Sequence, residues 1–344
     1  MQALQISGIG KLAIEDVPRP EAAPDEVLVE IQAAGICGTD IEVIHGNHTA
    51  YLRGIARYPI TPGHEWSGIV REIGAEVTRF AVGDLVTGET GIGCLKCKLC
   101  LTGKHNLCRN VVETGIFNRD GGMREWHVQP ETFTHACVGL TAEQAALVEP
   151  ASVAVHACKQ GQVGVADYVA VLGCGPIGLL TIQAARIAGA RNILATSRSE
   201  PKLKLAAELG ADRVGNAASE DVVGAALEMS GGEGFDVSID CSGSLDAVGQ
   251  AFDIAAPRGR IVIAAAYRGE PFTHGIDGII GRELTIVGSC GSPHAYPETI
   301  DMIRRGQMKV EPVVSHRFAL SQYAEAFALA EKGGPNVLKI LLHP

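Results

Sequence analysis

Two rhythms of apolar and polar residues divide the chain. Up to about Pro150, short alternating runs such as EVLVEIQAAG and GIVREIG are separated by turns of Gly, Pro and Asp, which predicts an all-β, barrel-like region. From Ala151 the period lengthens. VAVHAC predicts the opening of a helix, YVAVLG a short apolar strand, and PIGLLTIQAARIAGA a long helix that stops at Gly-Ala. The alternation continues through strand NILATS, helix PKLKLAAELGA, strand FDVSIDCSG, helix LDAVGQAFDIAA and strands GRIVIAAAY and LTIVGS. Strands alternating with helices of ten or more residues predict βαβ units, that is, a parallel sheet with helices on both faces. From GSPHAYPETIDMIRRG onward the rhythm is lost, and this segment is expected to return to the first domain. The expected fold is α/β, with a barrel domain over 1–150 and 291–344 and a doubly wound domain over 151–290.

Composition supports that division. A chain of 344 residues exceeds one ordinary core, and 46% hydrophobic with 20% charged residues is enough to bury two cores. The 42 glycines suit many tight connections. A net charge of -10 without any Lys/Arg block disfavours nucleic acid and anionic membranes as partners. The start, MQALQISGIGKLAIEDVPRP, has no basic segment followed by an apolar run, so no signal peptide is expected. The longest apolar candidate, 168–190, is broken by glycines, Pro176, Gln183 and Arg186, so no membrane span is expected. These features predict a cytoplasmic protein, in which ten cysteines read as metal ligands before disulfides.

Cys94, Cys97, Cys100 and Cys108 are separated by two, two and seven residues. Two-residue gaps aim successive thiolates at one point, and four sulfur ligands complete a closed, structural zinc shell. An iron-sulfur cluster is the rival reading, although no Pro follows the fourth Cys. A second motif, GCGPIG, comprises Gly173, Gly175, Pro176, Ile177 and Gly178 between a predicted strand and a predicted helix. That context makes it a dinucleotide fingerprint: the glycines give a tight turn, close approach to pyrophosphate and tight helix packing, and the helix N-terminus meets the phosphate. At the end of the next strand an NAD enzyme carries Asp or Glu for the ribose 2'-hydroxyl, whereas here Thr196, Ser197 and Arg198 follow one another. A hydroxyl and a guanidinium suit a 2'-phosphate, so NADP(H) is expected over NAD(H).

Taken together, CGTD at 37–40, GHEWSG at 63–68, the four-cysteine run, VEP followed by SVAVHAC, and GCGPIG stand in the order found in the zinc-containing medium-chain alcohol dehydrogenase superfamily. The chain resembles that superfamily over essentially its whole length. VEPASVAVHAC is similar to the sorbitol and polyol dehydrogenase branch, and the cysteine run also resembles threonine and butanediol dehydrogenases. The resemblance implies a GroES-like β-barrel catalytic domain beside a Rossmann domain, and two zinc ions per chain. It implies that Cys37, His64 and Glu149 surround a catalytic zinc, with Glu65 in the shell or entering it as ligands exchange. Such a zinc acts as a Lewis acid on an alcohol. Thr39 would pass the proton outward and His45 would be the next relay member.

The expected reaction is reversible oxidation of a secondary alcohol of a polyol, cyclitol or sugar-like substrate to the ketone. The polyol branch carries an Arg-Tyr pair where Gly291 and Ser292 stand here, which loosens the expectation of sorbitol itself. His48, Tyr51 and His294 are the candidates for substrate contact. An NAD-dependent threonine or butanediol dehydrogenase is the nearest alternative, and a non-catalytic, zinc-stapled cofactor-binding protein is the alternative of another class. A homotetramer is implied by the polyol branch, and LTIVGS offers an edge for a dimer.

Overall fold

Apolar residues rich in Val and Ile make EVLVEIQAAGI the 11-residue strand Glu26–Ile36, around which a first sheet is built in the computed structural model, which describes residues 1–344. Glu65–Ile73, Trp126–Pro130 and Lys339–His343 all pair antiparallel with it. The seven-stranded sheet runs Thr134–Ala136, Leu85–Gly88, Glu65–Ile73, Glu26–Ile36, Lys339–His343, Val314–Ala319, with Trp126–Pro130 beside Glu26–Ile36. Val29, Ile31, Trp66, Val86 and Leu342 are buried together in its core. Each such side chain contributes about 1.5–3 kcal/mol on leaving water. The sheet belongs to a unit of Met1–Glu149, Gly291–Arg305 and Val313–Pro344.

The second unit comprises Pro150–Cys290 and Gly306–Pro312. Its six strands are all parallel, in the order Arg213–Asn216, Asn192–Ser197, Tyr168–Leu172, Phe235–Asp240, Ala255–Ile263, Thr285–Gly288. In chain order the path starts at the central strand Tyr168–Leu172, runs to one edge, then returns to build the other half. The strand order therefore reverses at the carboxyl end of Tyr168–Leu172, the position where doubly wound sheets receive ligands. Val169, Ala170, Val171 and Leu172 are at most 1% exposed, as a strand covered on both faces must be.

Two elements of this unit escape the sequence pattern, the strand Arg213–Asn216 and the helix Val222–Met229. The strand has only four residues, two of them Gly215 and Asn216, and it exists because it pairs in register with Leu194–Ser197. A third difference bears on chemistry: the helix Val148–Gln160 opens three residues before Ala151, which puts Glu149 in its first turn. No helix is long and apolar enough to cross a membrane.

Candidate functional site

In the second unit, the strand Tyr168–Leu172 ends at Gly173, whose φ of +102° favours glycine; a Cβ there would lie 2.8 Å from the Ser242 Cα. Gly175 faces open space, and a Cβ at Gly178 would lie 1.8 Å from the Gly173 carbonyl oxygen. The three glycines thus make a turn, an open approach and a backbone contact. Pro176 begins the helix Pro176–Ile187, followed by Ile177, so the free N–H groups of its first turn are available to an anion. A hollow of about 290 Å³ opens here, lined by Gly173, Gly175, Ser197, Arg198 and Ser242. Lys202 joins them on the helix Glu200–Glu208. In sequence PKLKL has only the look of a solvated helix face, so no motif marks Lys202. Partial burial lowers its pKa.

In the first unit, the four cysteines converge. Their sulfurs lie within 4.8 Å of one another, with Cys97–Cys100 at 3.5 Å, Cys97–Cys108 at 3.8 Å and Cys94–Cys100 at 4.0 Å. A tetrahedral shell with Zn–S near 2.3 Å has sulfur–sulfur edges of about 3.8 Å. The donors therefore fit one zinc ion, and they are too close together to surround a multi-iron cluster. Backbone N–H groups of Lys96 and Cys97 hold the Cys94 thiol down to about 6, while burial pushes Cys100 up to about 12. The lobe is tied inward by His105, whose Nε2 meets Glu89 Oε2 at 2.6 Å, and Glu89 Oε1 also meets His135 Nε2 at 3.0 Å.

A second cluster forms where two paired strands end. Gly35 pairs with Glu65, so Cys37, just beyond one strand, lies beside His64 and Glu65 at the start of the other. Donor atoms of all three fall within 4.8 Å. Gly35 is required there, because a Cβ would lie 2.2 Å from Glu65 Oε2. Asp40, fully buried, accepts from the Cys37 N–H at 2.8 Å and the Gly63 N–H at 3.2 Å and lies 3.7 Å from His64 Nδ1. Although burial opposes it, the Cys37 and Asp40 charges hold the His64 pKa well above its ordinary value. Glu149 accepts from the Thr90 hydroxyl at 3.1 Å; burial pushes its carboxyl up to about 7, with the His64 charge opposing and Glu65 adding to the rise. His64 Nδ1 and Glu65 Oε2 are buried without a hydrogen-bond partner. A cluster of sulfur, imidazole and carboxylate with orphaned polar atoms fits a zinc ion of mixed ligation.

Lys339, which no motif announced, is 4% exposed and donates to Glu65 Oε1 at 2.5 Å and to the Ile36 carbonyl at 3.1 Å. Tyr296 is likewise new: its buried hydroxyl lies near Thr90, Ser292 and Glu149, and its ring stacks on His135. Thr39 Oγ1 lies 3.8 Å from Cys37 Sγ. His45 corrects an expectation. It caps the far end of the helix Gly38–Ile44, six residues and about 9 Å of helix rise beyond Thr39, and its Nε2 meets Glu331 at 2.6 Å on the surface. His294 meets the Gly103 carbonyl at 3.0 Å and so belongs to the cysteine lobe, while the Tyr51 hydroxyl is used in donating to the Ile116 carbonyl at 3.0 Å.

Comparison with known proteins follows this division of the chain. The alcohol dehydrogenase GroES-like domain matches residues 23–140, and the zinc-binding dehydrogenase domain matches residues 176–305. L-idonate 5-dehydrogenase of Vitis vinifera is 33% identical over 348 aligned positions, covering 99% of this chain and 94% of that protein. The chain belongs to the zinc-containing medium-chain alcohol dehydrogenase family. Sorbitol dehydrogenase of Arabidopsis thaliana is 31% identical, covering 99% of the chain and 94% of that protein, in keeping with the polyol branch of the family. A zinc-binding dehydrogenase of Sinorhizobium meliloti, bound to NADP, superposes with a TM-score of 0.93 at 32% identity, covering 100% of this chain and 99% of that one. The protein is an oxidoreductase of α/β fold with GroES-like and Rossmann features.

Proposed function

We propose that this dehydrogenase reversibly oxidises a secondary alcohol of a polyol, cyclitol or sugar-like substrate to the ketone, with NADP(H) preferred over NAD(H) and two zinc ions per chain. The observation that carries the reading is the convergence of Cys37, His64 and Glu65 with orphaned buried donor atoms, next to Glu149. Cys37, His64 and Glu149 would hold the catalytic zinc, with Glu65 able to join them, and Cys94, Cys97, Cys100 and Cys108 would hold the structural one. When bound, zinc supplies Lewis acidity toward the alcohol oxygen and the dinucleotide supplies the hydride acceptor.

The chain's own residues do the rest. Asp40 holds the Cys37 and Gly63 backbone and sets its charge 3.7 Å from His64 Nδ1, and Lys339 holds Glu65 by one oxygen, leaving Oε2 free. The Thr39 hydroxyl relays the alcohol proton outward to solvent, giving up its own proton as it accepts the new one. Gly173, Gly175, Pro176, Ile177 and Gly178 cradle the pyrophosphate, and Ser197, Arg198 and Lys202 recognise the 2'-phosphate by charge-assisted hydrogen bonds. In this reading residues 1–150 and 291–344 are the catalytic domain and residues 151–290 the coenzyme domain. Ten free thiols suit a reducing, cytoplasmic compartment. The working assembly is a homo-oligomer, a tetramer or a dimer through the edge strand Thr285–Gly288.

Metal analysis should find two zinc ions per chain, and Cys37→Ser should remove one of them together with activity. One zinc in the wild type, with Cys37→Ser changing nothing, overturns the catalytic site. Carbonyl reduction with NADPH and NADH, repeated on Arg198→Asp, tests the cofactor, and an unchanged preference refutes that part.

A further inference from the structure

Two neighbours in sequence, Glu89 and Thr90, join the strand Leu85–Gly88 to the strand Gly91–Ile92, and their side chains are bonded to different metal sites. The Thr90 hydroxyl donates to Glu149 Oε1 at 3.1 Å, and Glu149 is the carboxylate that the reading above gives to the catalytic zinc. Its place is defined by backbone bonds on both residues. The Glu89 N–H donates to the Phe133 carbonyl at 2.8 Å, and the Thr90 carbonyl accepts from the Thr114 N–H at 2.9 Å.

Glu89 faces the other site. It is 7% exposed and uses both oxygens on imidazoles, Oε2 meeting His105 Nε2 at 2.6 Å and Oε1 meeting His135 Nε2 at 3.0 Å. His105 belongs to the cysteine lobe: it opens the 3-10 turn His105–Leu107, which leads directly into Cys108. Gly93 fits beside it only for want of a side chain, since a Cβ there would lie 2.8 Å from Cys100 Sγ and 2.8 Å from His105 Cβ. The His294 ring, 5.3 Å from that of His105, ties the lobe again through the Gly103 carbonyl at 3.0 Å. His105 is therefore held in place by the folded lobe, and the lobe is held by whatever joins its four sulfurs. An open lobe withdraws His105 and leaves one oxygen of a buried carboxylate unpaired. The segment sheds that cost by moving Glu89 toward water, and the peptide bond carries the Thr90 hydroxyl with it.

We propose that Thr90 is a positioning residue for Glu149 and that Glu89 makes its position depend on the cysteine lobe, so that metal in the lobe raises metal affinity at the Cys37–His64 site. The four cysteines then do more than staple a loop. This rests on the two-zinc reading above and adds a link between the two sites.

The test measures zinc retained per chain, by elemental analysis, after the zinc-loaded full chain is equilibrated at graded free-zinc concentrations without substrate or dinucleotide. The step absent from Cys37→Ser belongs to the Cys37–His64 site. Thr90→Val should weaken that step by about 10- to 100-fold, the range for loss of a group that orients a metal ligand, with lobe zinc retained, and Thr90→Ser should recover most of the affinity. Cys100→Ser, which opens the lobe, should weaken the same step in the wild-type background and add little in Thr90→Val. Should Cys100→Ser fail to fold, Glu89→Gln cuts the link with the cysteines intact and should show the same non-additivity. Unchanged affinity in Thr90→Val, equal losses in Thr90→Val and Thr90→Ser, or losses that add in the double variant overturn the proposal alone. A wild type that holds zinc only at the four cysteines overturns the catalytic-site reading and the proposal with it.

Discussion

Burial of the Lys339 ammonium against Glu65 at 2.5 Å places two opposite charges where water is excluded. Such a pair gives little net stability over an apolar pair, but removing one member leaves the other charge uncompensated. Lys339→Met should therefore cost about 3–5 kcal/mol in denaturant unfolding, whereas Lys339→Arg should retain part of that loss. His127 illustrates the opposite solution, a buried imidazole kept neutral. It is 0% exposed, Nδ1 accepts from Arg124 Nη2 at 3.0 Å, and Nε2 donates to Gln129 Oε1 at 3.3 Å. Burial, then the Arg124 charge, holds its pKa well below the ordinary 6.5. The unfolded chain binds the proton first, so the stabilising contribution is complete above pH 6.5 and is lost as the pH falls toward the depressed folded value. Unfolding curves at pH 7 and pH 5 should show a smaller acid loss for His127→Gln than for the wild type, and equal losses would remove His127 as the cause.

At the scale of elements, chemistry is concentrated where strands stop. The strand Glu26–Ile36 ends at Cys37, the strand Glu65–Ile73 begins at the second donor pair, and their antiparallel register decides that the two ends coincide. A slip of one residue would turn Glu65 to the other face of the sheet. The strand Tyr168–Leu172 likewise stops at Gly173, and the helix Pro176–Ile187 starts three residues later with its Gly178 backbone against the Gly173 carbonyl. A methyl group at Gly178 must push helix and strand apart. Gly178→Ala should weaken NADPH binding by more than about tenfold, or 1.4 kcal/mol, in a fluorescence titration, with far-UV circular dichroism retained. The element missed from sequence, Arg213–Asn216, shows the reverse dependence: four residues become a strand only because Asn192–Ser197 offers an edge.

At the scale of the whole molecule, Thr285–Gly288 closes one side of the parallel sheet as an unpaired edge, with Ile286 45% exposed. If copies pair through this edge, a charge placed on it should block them. Ile286→Lys is expected to halve the mass measured by sedimentation; an unchanged mass assigns the assembly to another surface. The sequence by itself determined the parts whose physics is local. Cysteines two residues apart must share a loop, GCGPIG between an apolar strand and a helix must form a tight glycine turn, and alternation of strand and helix periods must give a parallel sheet. Tertiary structure alone decided which distant residues meet. No motif marks Lys339 in VLKILLH, and the order of motifs makes His45 a relay partner of Thr39. Pairing of Lys339–His343 with Glu26–Ile36 carries Lys339 to Glu65, and helix rise carries His45 away from Thr39 to Glu331 on the surface. Local pattern reports a residue's neighbours along the chain, and charge becomes chemistry only when folding removes water from around it.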